Sequence, residues 1–359
     1  MRAKVYIHRL GSWYPCYMTR ENEALLESFA EVVTEGDRES SMSPDELTER
    51  MRGCAAILSM NGTGNSEITA EVLKAVGTVK AIAIAHYWGD LLVKAAAGTG
   101  IQVVEGSNAN TIAVAEWTVG AALMGVREFL PFDRALRAGT PWPKLRLEPS
   151  LQTDARWERL NRPMSFGLLC GSTVGLVGLG RIGWYAAHYF RALGATVIAY
   201  DKYYSPQKAE RLGVRLVGLD KLMTTAGVVS IHLPVTDETR GMIGAREFAM
   251  IRNGAVFINS ARAAVYDEEA LIAELRKERF CAYLDVFAEE PLPPTHPFRS
   301  MRNVVMTPHI AGCNAAMLAR CGREAILTLK DYFDGKGLRN LQYWYPYSLN
   351  MKEPTPWRN

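Results

Sequence analysis

The sequence predicts an α/β protein in which helices connect the strands of two parallel sheets. Short apolar segments of strand length alternate with segments of helical periodicity along most of the chain. Several later strands are apolar at nearly every position, as strands are when helices cover both faces of a parallel sheet. The chain has 359 residues, 48% of them hydrophobic, and exceeds what one core usually organises, so we expect two domains.

The first series of elements lies at the N-terminus. Its strands are predicted at Lys4–His8, Ala55–Ser59, Val79–Ala85 and Gln102–Glu105, and its helices at Glu21–Val33, Pro44–Met51, Glu67–Val76 and Leu91–Ala97. The second helix has the clearest start, because Ser43 is a good cap, Pro44 suits the first helical position, and Glu46 can bond back to the cap. A long apolar helix, Thr111–Phe129, leads away from this series.

The second series follows a segment, Leu130–Cys170, in which periodicity fails and prolines recur, so that this segment is predicted to be a connecting excursion. Strands of the second series are predicted at Thr173–Val177, Thr196–Tyr200, Val214–Val217, Val228–Leu233, Ala255–Ser260, Cys281–Val286 and Val304–Thr307. A helix at Cys313–Phe333 closes the series, and an aromatic tail ends the sequence. We expect the excursion and the tail to form a subunit contact or to cover a ligand cleft.

The first strand of the second series ends in a glycine-rich turn typical of a dinucleotide site. The turn contains Gly178, Gly180 and Gly183, and a helical pattern begins within it at Arg181 and Ile182. Glycines let the backbone turn tightly and approach a pyrophosphate, and the N–H groups at the helix start attract its charge. The motif therefore predicts a Rossmann-type cofactor domain.

Asp201 ends the next strand, where a carboxylate accepts hydrogen bonds from the adenosine ribose hydroxyls. Its charge would repel the additional phosphate of NADP, so the sequence favours NAD as the cofactor. Lys202, the next residue, can weaken that repulsion, and NADP therefore stays open as the alternative.

Composition and charge argue against other classes of protein. The chain has 41 Lys and Arg against 38 Asp and Glu, a formal net charge of +3, so no basic surface for nucleic acid is expected. No apolar run reaches the roughly 18 residues of a membrane-spanning helix, and Met1–Leu10 lacks the apolar core of a signal peptide. The six cysteines are scattered without a Cys-x-x-Cys pair, which predicts reduced thiols, a cytoplasmic location and no metal site.

Three later strands are followed by polar residues that the fold does not require: Arg262, Glu290 and His309. The carboxyl ends of parallel strands are where such sheets bind ligands. A guanidinium can hold a substrate carboxylate and polarise its carbonyl, and an imidazole can exchange a proton near neutral pH. A carboxylate beside the imidazole favours its charged form. Each residue alone has an ordinary structural explanation, but together they predict a hydride-transfer site.

From about Val79 to Phe333 the chain resembles the D-isomer-specific 2-hydroxyacid dehydrogenases, which include phosphoglycerate, glycerate, lactate and formate dehydrogenases. The matching segments are Asn110-Thr111, Val114-Ala115-Glu116, the glycine turn, His232-Leu233-Pro234 with Thr236 and Thr239, Ile258-Asn259 through Arg262, Asp267-Glu268, Leu284-Asp285-Val286 through Glu290-Pro291, and Thr307-Pro308-His309. The resemblance implies an enzyme that transfers hydride between NAD and the α-carbon of a small 2-oxo or 2-hydroxy acid.

The resemblance also implies residue roles and an architecture. It makes Arg262, Glu290 and His309 the catalytic set and puts Asn110 near the substrate. It implies that the following residues surround the nicotinamide and its ribose: His232, Thr239, Ala261, Asp285 and Gly312. The expected architecture is a Rossmann-type doubly wound parallel sheet at residues 110–315 and a smaller flavodoxin-like α/β substrate domain at residues 1–109 and 316–359, with a cleft between them. We also expect a homodimer.

The chain departs from the family where a glycine-rich turn usually holds the substrate carboxylate with backbone amides. Here the segment reads Ala85-His86-Tyr87-Trp88-Gly89-Asp90. We expect His86, Tyr87 and Trp88 to line the substrate pocket, with His86 either contacting an anionic substrate or serving only as a turn residue. The identity of the substrate therefore cannot be taken from a familiar member of the family.

Two alternative functions remain open. Formate or phosphite oxidation on the same framework needs a pocket without room for a substrate side chain, and the bulky turn does not exclude such a pocket. A non-catalytic, NAD-responsive scaffold like the family's transcriptional corepressors would tolerate a broken catalytic set, whereas this chain retains all three residues.

Overall fold

The computed structural model describes residues 2–12, 14–60, 67–85, 90–105, 110–139 and 167–336. These residues form two compact units, one of residues 2–111 and 313–336 and the other of residues 112–312. Each unit contains a parallel sheet with helices between its strands, which confirms the predicted α/β fold class. Part of the predicted excursion, the aromatic tail and the turn of His86, Tyr87 and Trp88 lie outside the described residues.

The first unit is built on five parallel strands. They are β1 (Ala3–His8), β2 (Ala30–Thr34), β3 (Ala56–Ser59), β4 (Ala81–Ile84) and β5 (Gln102–Glu105), and their order in the sheet is β2-β1-β3-β4-β5. The helices between them are α1 (Tyr14–Tyr17), α2 (Arg20–Phe29), α3 (Pro44–Arg50), α4 (Ala70–Val76) and α5 (Asp90–Ala96). The predicted capping box is present, since the hydroxyl of Ser43 accepts from the N–H of Glu46 and the carboxylate of Glu46 accepts from the N–H of Ser43.

The predicted helix Glu21–Val33 is wrong at its C-terminal end. Helix α2 ends at Phe29, and the next residues form β2, which pairs in parallel with β1. The apolar spacing of α2 continues through Val32 and Val33, so the sequence suggests an unbroken helix. The β-branched residues at this point suit an extended edge strand, and pairing with β1 satisfies their backbone groups.

The second unit is built on seven parallel strands. They are β6 (Thr173–Val177), β7 (Thr196–Tyr200), β8 (Arg215–Leu216), β9 (Val228–Ile231), β10 (Val256–Asn259), β11 (Cys281–Leu284) and β12 (Val304–Met306). The order in the sheet is β12-β11-β10-β9-β6-β7-β8. The order reverses around β6, which pairs with β7 on one side and β9 on the other. Such a reversal creates the crevice in which open α/β sheets bind ligands.

Helices cover this second sheet, and they are α6 (Asn110–Val126), α7 (Phe129–Arg137), α8 (Arg181–Ala192), α9 (Pro206–Arg211), α10 (Leu219–Thr225), α11 (Ala245–Met250) and α12 (Glu268–Leu275). The predicted helix Thr111–Phe129 is too long by three residues, because the chain breaks at Glu128, whose φ is 49°. Helix α7 occupies the start of the segment predicted to be an irregular excursion, which corrects that prediction. Pro131 is tolerated because it lies in the first turn of α7, where an N–H has no partner within the helix.

The last described helix, α13 (Ala315–Phe333), returns the chain to the first unit and packs against α1 and α2. Gly322 permits this packing, because a Cβ there would lie 2.1 Å from the carbonyl oxygen of Tyr17. The amide nitrogen Nδ2 of Asn22 donates to the carbonyls of Tyr17 at 2.7 Å and Ala319 at 2.8 Å, and so joins α2 to α13. Within the ranges described, no helix has both the length and the hydrophobicity needed to cross a bilayer.

Candidate functional site

The glycine turn lies between β6 and α8, at the point where the strand order reverses. Gly178 has a φ of 99°, a conformation that favours glycine, and its N–H donates to the carbonyl of Tyr200 at 2.8 Å. A Cβ on Gly178 would lie 2.6 Å from the carbonyl oxygen of His232, and one on Gly183 would lie 2.4 Å from that of Gly178. These two glycines are therefore required by the packing of the backbone itself.

Gly180 is different, because a Cβ built there meets no atom of the described chain within 4 Å. It is the N-cap of α8, and no side chain caps that helix. The first helical residues are Arg181 and Ile182, as the sequence predicts. An open approach to an uncapped helix start suits a pyrophosphate, which bonds to backbone N–H groups and is favoured by the helix dipole. The residues present therefore fit a dinucleotide.

Asp201 directly follows β7 and accepts hydrogen bonds from three backbone N–H groups, one in the glycine turn and two in its own loop. Its Oδ2 accepts from the N–H of Leu179 at 2.8 Å, and its Oδ1 accepts from the N–H groups of Tyr203 at 2.9 Å and Tyr204 at 3.0 Å. The carboxylate is thereby fixed beside the glycine turn. Because a carboxylate offers about four acceptor directions, these three bonds leave about one for a ribose hydroxyl.

His232 directly follows β9 and is buried, with its Nε2 3.0 Å from the hydroxyl oxygen of Ser230. Burial lowers the pKa of His232 to about 4, so the imidazole is neutral at pH 7. Thr239 lies in the loop beyond it and bonds within that loop. Its hydroxyl donates to the carbonyl of Pro234 at 2.6 Å and accepts from the N–H of Thr236 at 2.8 Å.

Glu290 and His309 lie in contact. The Oε2 atom of Glu290 is 2.7 Å from Nδ1 of His309, and its Oε1 accepts from the N–H of Phe287 at 2.9 Å. Both side chains are partly open to solvent, with exposed fractions of 35% for Glu290 and 36% for His309. Since Nδ1 faces Glu290, Nε2 is the nitrogen of His309 that can exchange a proton with a substrate.

Arg262 follows β10, two residues after Ser260. Its guanidinium donates to the carbonyl of Ala261, and Nδ2 of Asn259 donates to the carbonyl of Arg262 at 2.9 Å. Oδ1 of Asn259 accepts from the N–H of Ala261 at 2.8 Å, so the amide fixes this turn from both sides. Burial lowers the pKa of Arg262 and the charge of Glu290 raises it, so the two side chains are close enough to interact. The guanidinium remains positive at neutral pH.

Asp285 anchors the turn that carries His309. Its Oδ1 accepts from the hydroxyl of Thr307 and from the N–H of Ile310 at 2.9 Å, and its Oδ2 accepts from the N–H of Ala311 at 2.8 Å. Burial raises the pKa of Asp285, and these hydrogen bonds oppose that effect. The sequence predicts Asp285 near the nicotinamide, and the anchoring contacts add a role that sequence reasoning missed. The sequence contained one sign of this role, because Thr307 lies two residues before His309, at the end of the strand that neighbours the strand before Asp285.

A second carboxylate–histidine pair holds the loop that carries Glu290. Oε1 of Glu268 is 3.1 Å from Nε2 of His296, and Oε2 of Glu268 accepts from the N–H of Ala288 at 3.3 Å. Nδ1 of His296 accepts from the N–H of Phe298 at 3.3 Å, so Nε2 carries the proton that is donated to Glu268. Glu268 was predicted only as part of a family motif, and His296 was not predicted.

No described contact links the remaining predicted residues to Arg262, Glu290 and His309. Asn110 begins α6, and its buried Oδ1 has no hydrogen-bond partner among the described residues. Gly312 is the last residue of the second unit before the chain returns to the first. The predicted substrate roles of His86, Tyr87 and Trp88 stay predictions, because these residues lie outside the described part of the chain.

Comparison with known families decides the classification. A model of the NAD binding domain of the D-isomer specific 2-hydroxyacid dehydrogenases matches residues 119–311, more than half of the 359 residues. The chain belongs to this family. The matched range contains the glycine turn, Asp201, Arg262, Glu290 and His309.

Several individual proteins are similar to this one over much of the chain. A D-3-phosphoglycerate dehydrogenase of Archaeoglobus fulgidus is 34% identical over 274 residues, which are 76% of this chain and 48% of that protein. A glyoxylate reductase of Thermofilum pendens is 32% identical over 342 residues, 91% of each chain. A crystal structure of a protein from Thermus thermophilus has a TM-score of 0.69 and 29% identity, covering 94% of this chain and 99% of that one. The chain thus spans about half the length of the phosphoglycerate dehydrogenase.

Proposed function

We propose that this protein is an NAD-dependent oxidoreductase that transfers hydride between the nicotinamide and the α-carbon of a small 2-oxo or 2-hydroxy acid of the D series. The observation that carries the proposal is the 2.7 Å contact between Glu290 and His309, with Arg262 close enough to interact electrostatically with Glu290. The names of the relatives support the substrate class, since phosphoglycerate is a 2-hydroxy acid and glyoxylate a 2-oxo acid.

The three side chains divide the chemistry between them. Arg262 binds the substrate carboxylate and polarises the carbonyl, because its guanidinium stays charged and offers paired donors. His309 gives a proton from Nε2 to the carbonyl oxygen during reduction and takes it from the hydroxyl during oxidation. Glu290 stabilises the imidazolium and holds its orientation through Nδ1. Bound NAD supplies the hydride acceptor at its nicotinamide, and NADH the donor.

The cofactor would be held by the second unit. Support comes from Gly178, Gly180 and Gly183, from the start of α8 at Arg181 and Ile182, and from Asp201 beside them. For the nicotinamide end we propose His232, Thr239, Ala261, Asp285 and Gly312. Asp201 favours NAD over NADP, because its carboxylate suits ribose hydroxyls and repels a phosphate. By the same assignment the first unit is the substrate domain, with Asn110 near the substrate.

The acid–base role is tested by His309→Gln. We expect turnover to fall at least about 100-fold, because the loss of a positioned general acid–base group costs 10²- to 10⁴-fold, while NADH affinity stays within about twofold. His188→Gln is the matched control, since His188 lies on α8 and makes an edge-on contact with the ring of Trp184. Turnover is followed by NADH absorbance, and binding by NADH fluorescence. Wild-type turnover in His309→Gln would contradict the acid–base assignment.

The substrate class is tested with a panel of 2-oxo acids of increasing side-chain size, together with formate and phosphite. We expect NADH consumption with small 2-oxo acids. Activity with formate or phosphite alone would favour the alternative oxidation on the same fold. Binding of NADH without any turnover across the panel would favour a scaffold related to the corepressors.

A homodimer in the cytoplasm remains part of the proposal. All six cysteines are free thiols, which suits a reducing compartment. The molar mass of the purified protein in solution tests the dimer, because a mass near 39.8 kDa would show a monomer.

A further inference from the structure

A carboxylate joins two loops of the second unit next to Asp201. Glu238 lies in the loop after β9, and its Oε2 accepts from the hydroxyl of Tyr203 at 2.6 Å. The same oxygen accepts from the ammonium group of Lys202 at 3.4 Å. Lys202 and Tyr203 belong to the loop after β7, which begins at Asp201. Glu238 therefore faces the residues that follow the ribose-binding position.

This contact changes how Lys202 must be interpreted. A lysine directly after the ribose-binding carboxylate is a natural partner for the 2′-phosphate of NADP, and by sequence alone Lys202 weakens the preference for NAD. In the structure its ammonium is paired with Glu238 instead. The hydrogen bond from Tyr203, followed by the one from Lys202, lowers the pKa of Glu238, so this carboxylate is charged at neutral pH.

The charge around the ribose-binding position depends on three side chains. Asp201 and Glu238 contribute two negative charges, and Lys202 contributes one positive charge. A 2′-phosphate adds roughly two more negative charges beside Asp201. Without Glu238 the charges of Asp201 and Lys202 would cancel before the phosphate arrives, and Lys202 would be able to turn towards it. With Glu238 the three side chains carry one net negative charge, and Lys202 is paired with Glu238.

We propose that Glu238 is a second determinant of cofactor choice, which disfavours NADPH by pairing with Lys202 and by adding a negative charge near the ribose. The inference rests on the proposed function only in requiring that the second unit binds NADH. Lys202 and Glu238 are 59% and 50% exposed, so the effect is modest and sensitive to salt.

Glu238→Gln tests the inference through binding rather than turnover. Dissociation constants for NADH and NADPH are measured by nucleotide fluorescence, and the quantity compared is the ratio of the NADPH constant to the NADH constant. We expect Glu238→Gln to lower this ratio by about three- to fivefold, as the loss of one exposed charge pair allows. Adding Lys202→Gln should restore the ratio, and salt of about 0.5 M should shrink the difference.

Asp237→Asn is the matched control, because it removes the same charge from the preceding exposed residue. Asp237 makes no ion pair with Lys202 in the described part of the chain, so Asp237→Asn should lower the ratio less than Glu238→Gln does. Normal NADH binding with an unchanged ratio in Glu238→Gln would overturn the inference alone, as would an equal shift in Asp237→Asn. Failure of the wild-type protein to bind NADH would overturn the proposed function and this inference with it.

Discussion

At the scale of single residues, His309 is held in a conformation that a side chain disfavours. Its φ is 55°, in the left-handed region, which costs on the order of 1–3 kcal/mol for a residue other than glycine. The buried carboxylate of Asp285 offsets this cost, since it bonds to Thr307 before His309 and to Ile310 and Ala311 after it. The position of the His309 imidazole therefore depends on the carboxylate of Asp285, although no hydrogen bond joins these two side chains.

Thr307→Val tests this dependence. The change keeps the shape of the side chain but removes the hydroxyl that donates to Asp285, so we expect the turn to loosen and kcat to fall about 10- to 100-fold. KM for NADH should change little, and the pH profile of kcat/KM should move because the surroundings of His309 change. Steady-state kinetics between pH 5 and pH 9 measure both effects.

Two variants separate this effect from a general loss of stability. Thr307→Ser keeps the hydroxyl and should restore most of kcat and the pH profile. Thr224→Val removes a threonine hydroxyl that bonds the carbonyl of Asp220 at 2.7 Å in α10, away from the turn of His309, and should leave kcat unchanged. Equal kcat in Thr307→Val and wild type would show that Asp285 alone is sufficient to place the turn.

At the scale of elements, the glycine turn combines two separate demands. Gly178 and Gly183 have backbone atoms where a side chain would lie, so they serve the contact between β6, α8 and β9. Gly180 faces open space, so nothing within the described chain requires it to be glycine. A bound group that approaches the start of α8 would explain its small size.

Gly180→Ala separates these demands. The φ of Gly180 is −66°, which alanine adopts without strain, so we expect the free energy of unfolding to change by less than about 1 kcal/mol. NADH should bind at least about tenfold more weakly, because the new methyl group occupies the path of the pyrophosphate. Thermal unfolding and NADH fluorescence measure the two quantities.

Gly183→Ala is the contrasting variant. Its Cβ would lie 2.4 Å from the carbonyl oxygen of Gly178, and we expect a loss of about 1–3 kcal/mol in stability. A Gly180→Ala protein that binds NADH like the wild type would place the pyrophosphate away from the start of α8.

The elements also show which features a sequence can reveal. The central strands β6, β9 and β10 were predictable because both of their faces are buried and their sequences are almost wholly apolar. Strand β2 was not, because its apolar residues continue the helical spacing of α2, and only pairing with β1 decides for the strand. Helix α7 was hidden by Pro131, whose effect depends on its place in the first turn.

The residues of the candidate site also differ in whether the sequence could predict them. Arg262, Glu290 and His309 follow strands and carry distinctive chemistry, so the sequence suggested them and the family resemblance fixed their combination. The pairing of Glu268 with His296 joins residues 28 positions apart through ordinary surface residue types. Such a pair carries no local pattern, because it depends on how two loops fold against each other.

At the scale of the whole molecule, the first unit contains a buried ionic cluster that has no counterpart in the proposed chemistry. The carboxylate of Glu67 accepts hydrogen bonds from both terminal nitrogens of Arg38 and, at 2.6 Å, from the N–H of Met42. Nε2 of His8 lies 3.3 Å from Oε1 of Glu67. Arg38 also contacts Glu35. The side chains of His8 and Glu67 are 0% and 2% exposed. The charge of the Glu67 carboxylate must therefore be balanced within the protein.

This cluster makes the acid stability of the first unit depend on Glu67. Burial raises the pKa of Glu67, but His8, Arg38 and the N–H of Met42 outweigh burial and lower the pKa from 4.5 to about 2. Because the pKa is lower in the folded state, the unfolded chain takes up the proton first. The stabilisation is complete above about pH 4.5 and is lost as the pH falls towards 2, and it amounts to on the order of 3 kcal/mol.

Glu67→Gln should therefore lower the free energy of unfolding at pH 7 by about 3 kcal/mol, because Arg38 loses a charged partner in a buried place. Between pH 5 and pH 2 the variant should lose less stability than the wild type, so the two curves should converge in acid. Urea unfolding across this range measures the curves. Glu49→Gln is the control, since Glu49 pairs with Arg52 at the surface and should follow the wild type. Parallel curves for Glu67→Gln and wild type would mean that Glu67 has the same proton affinity in the folded and unfolded states, and the cluster would then play no part in acid stability.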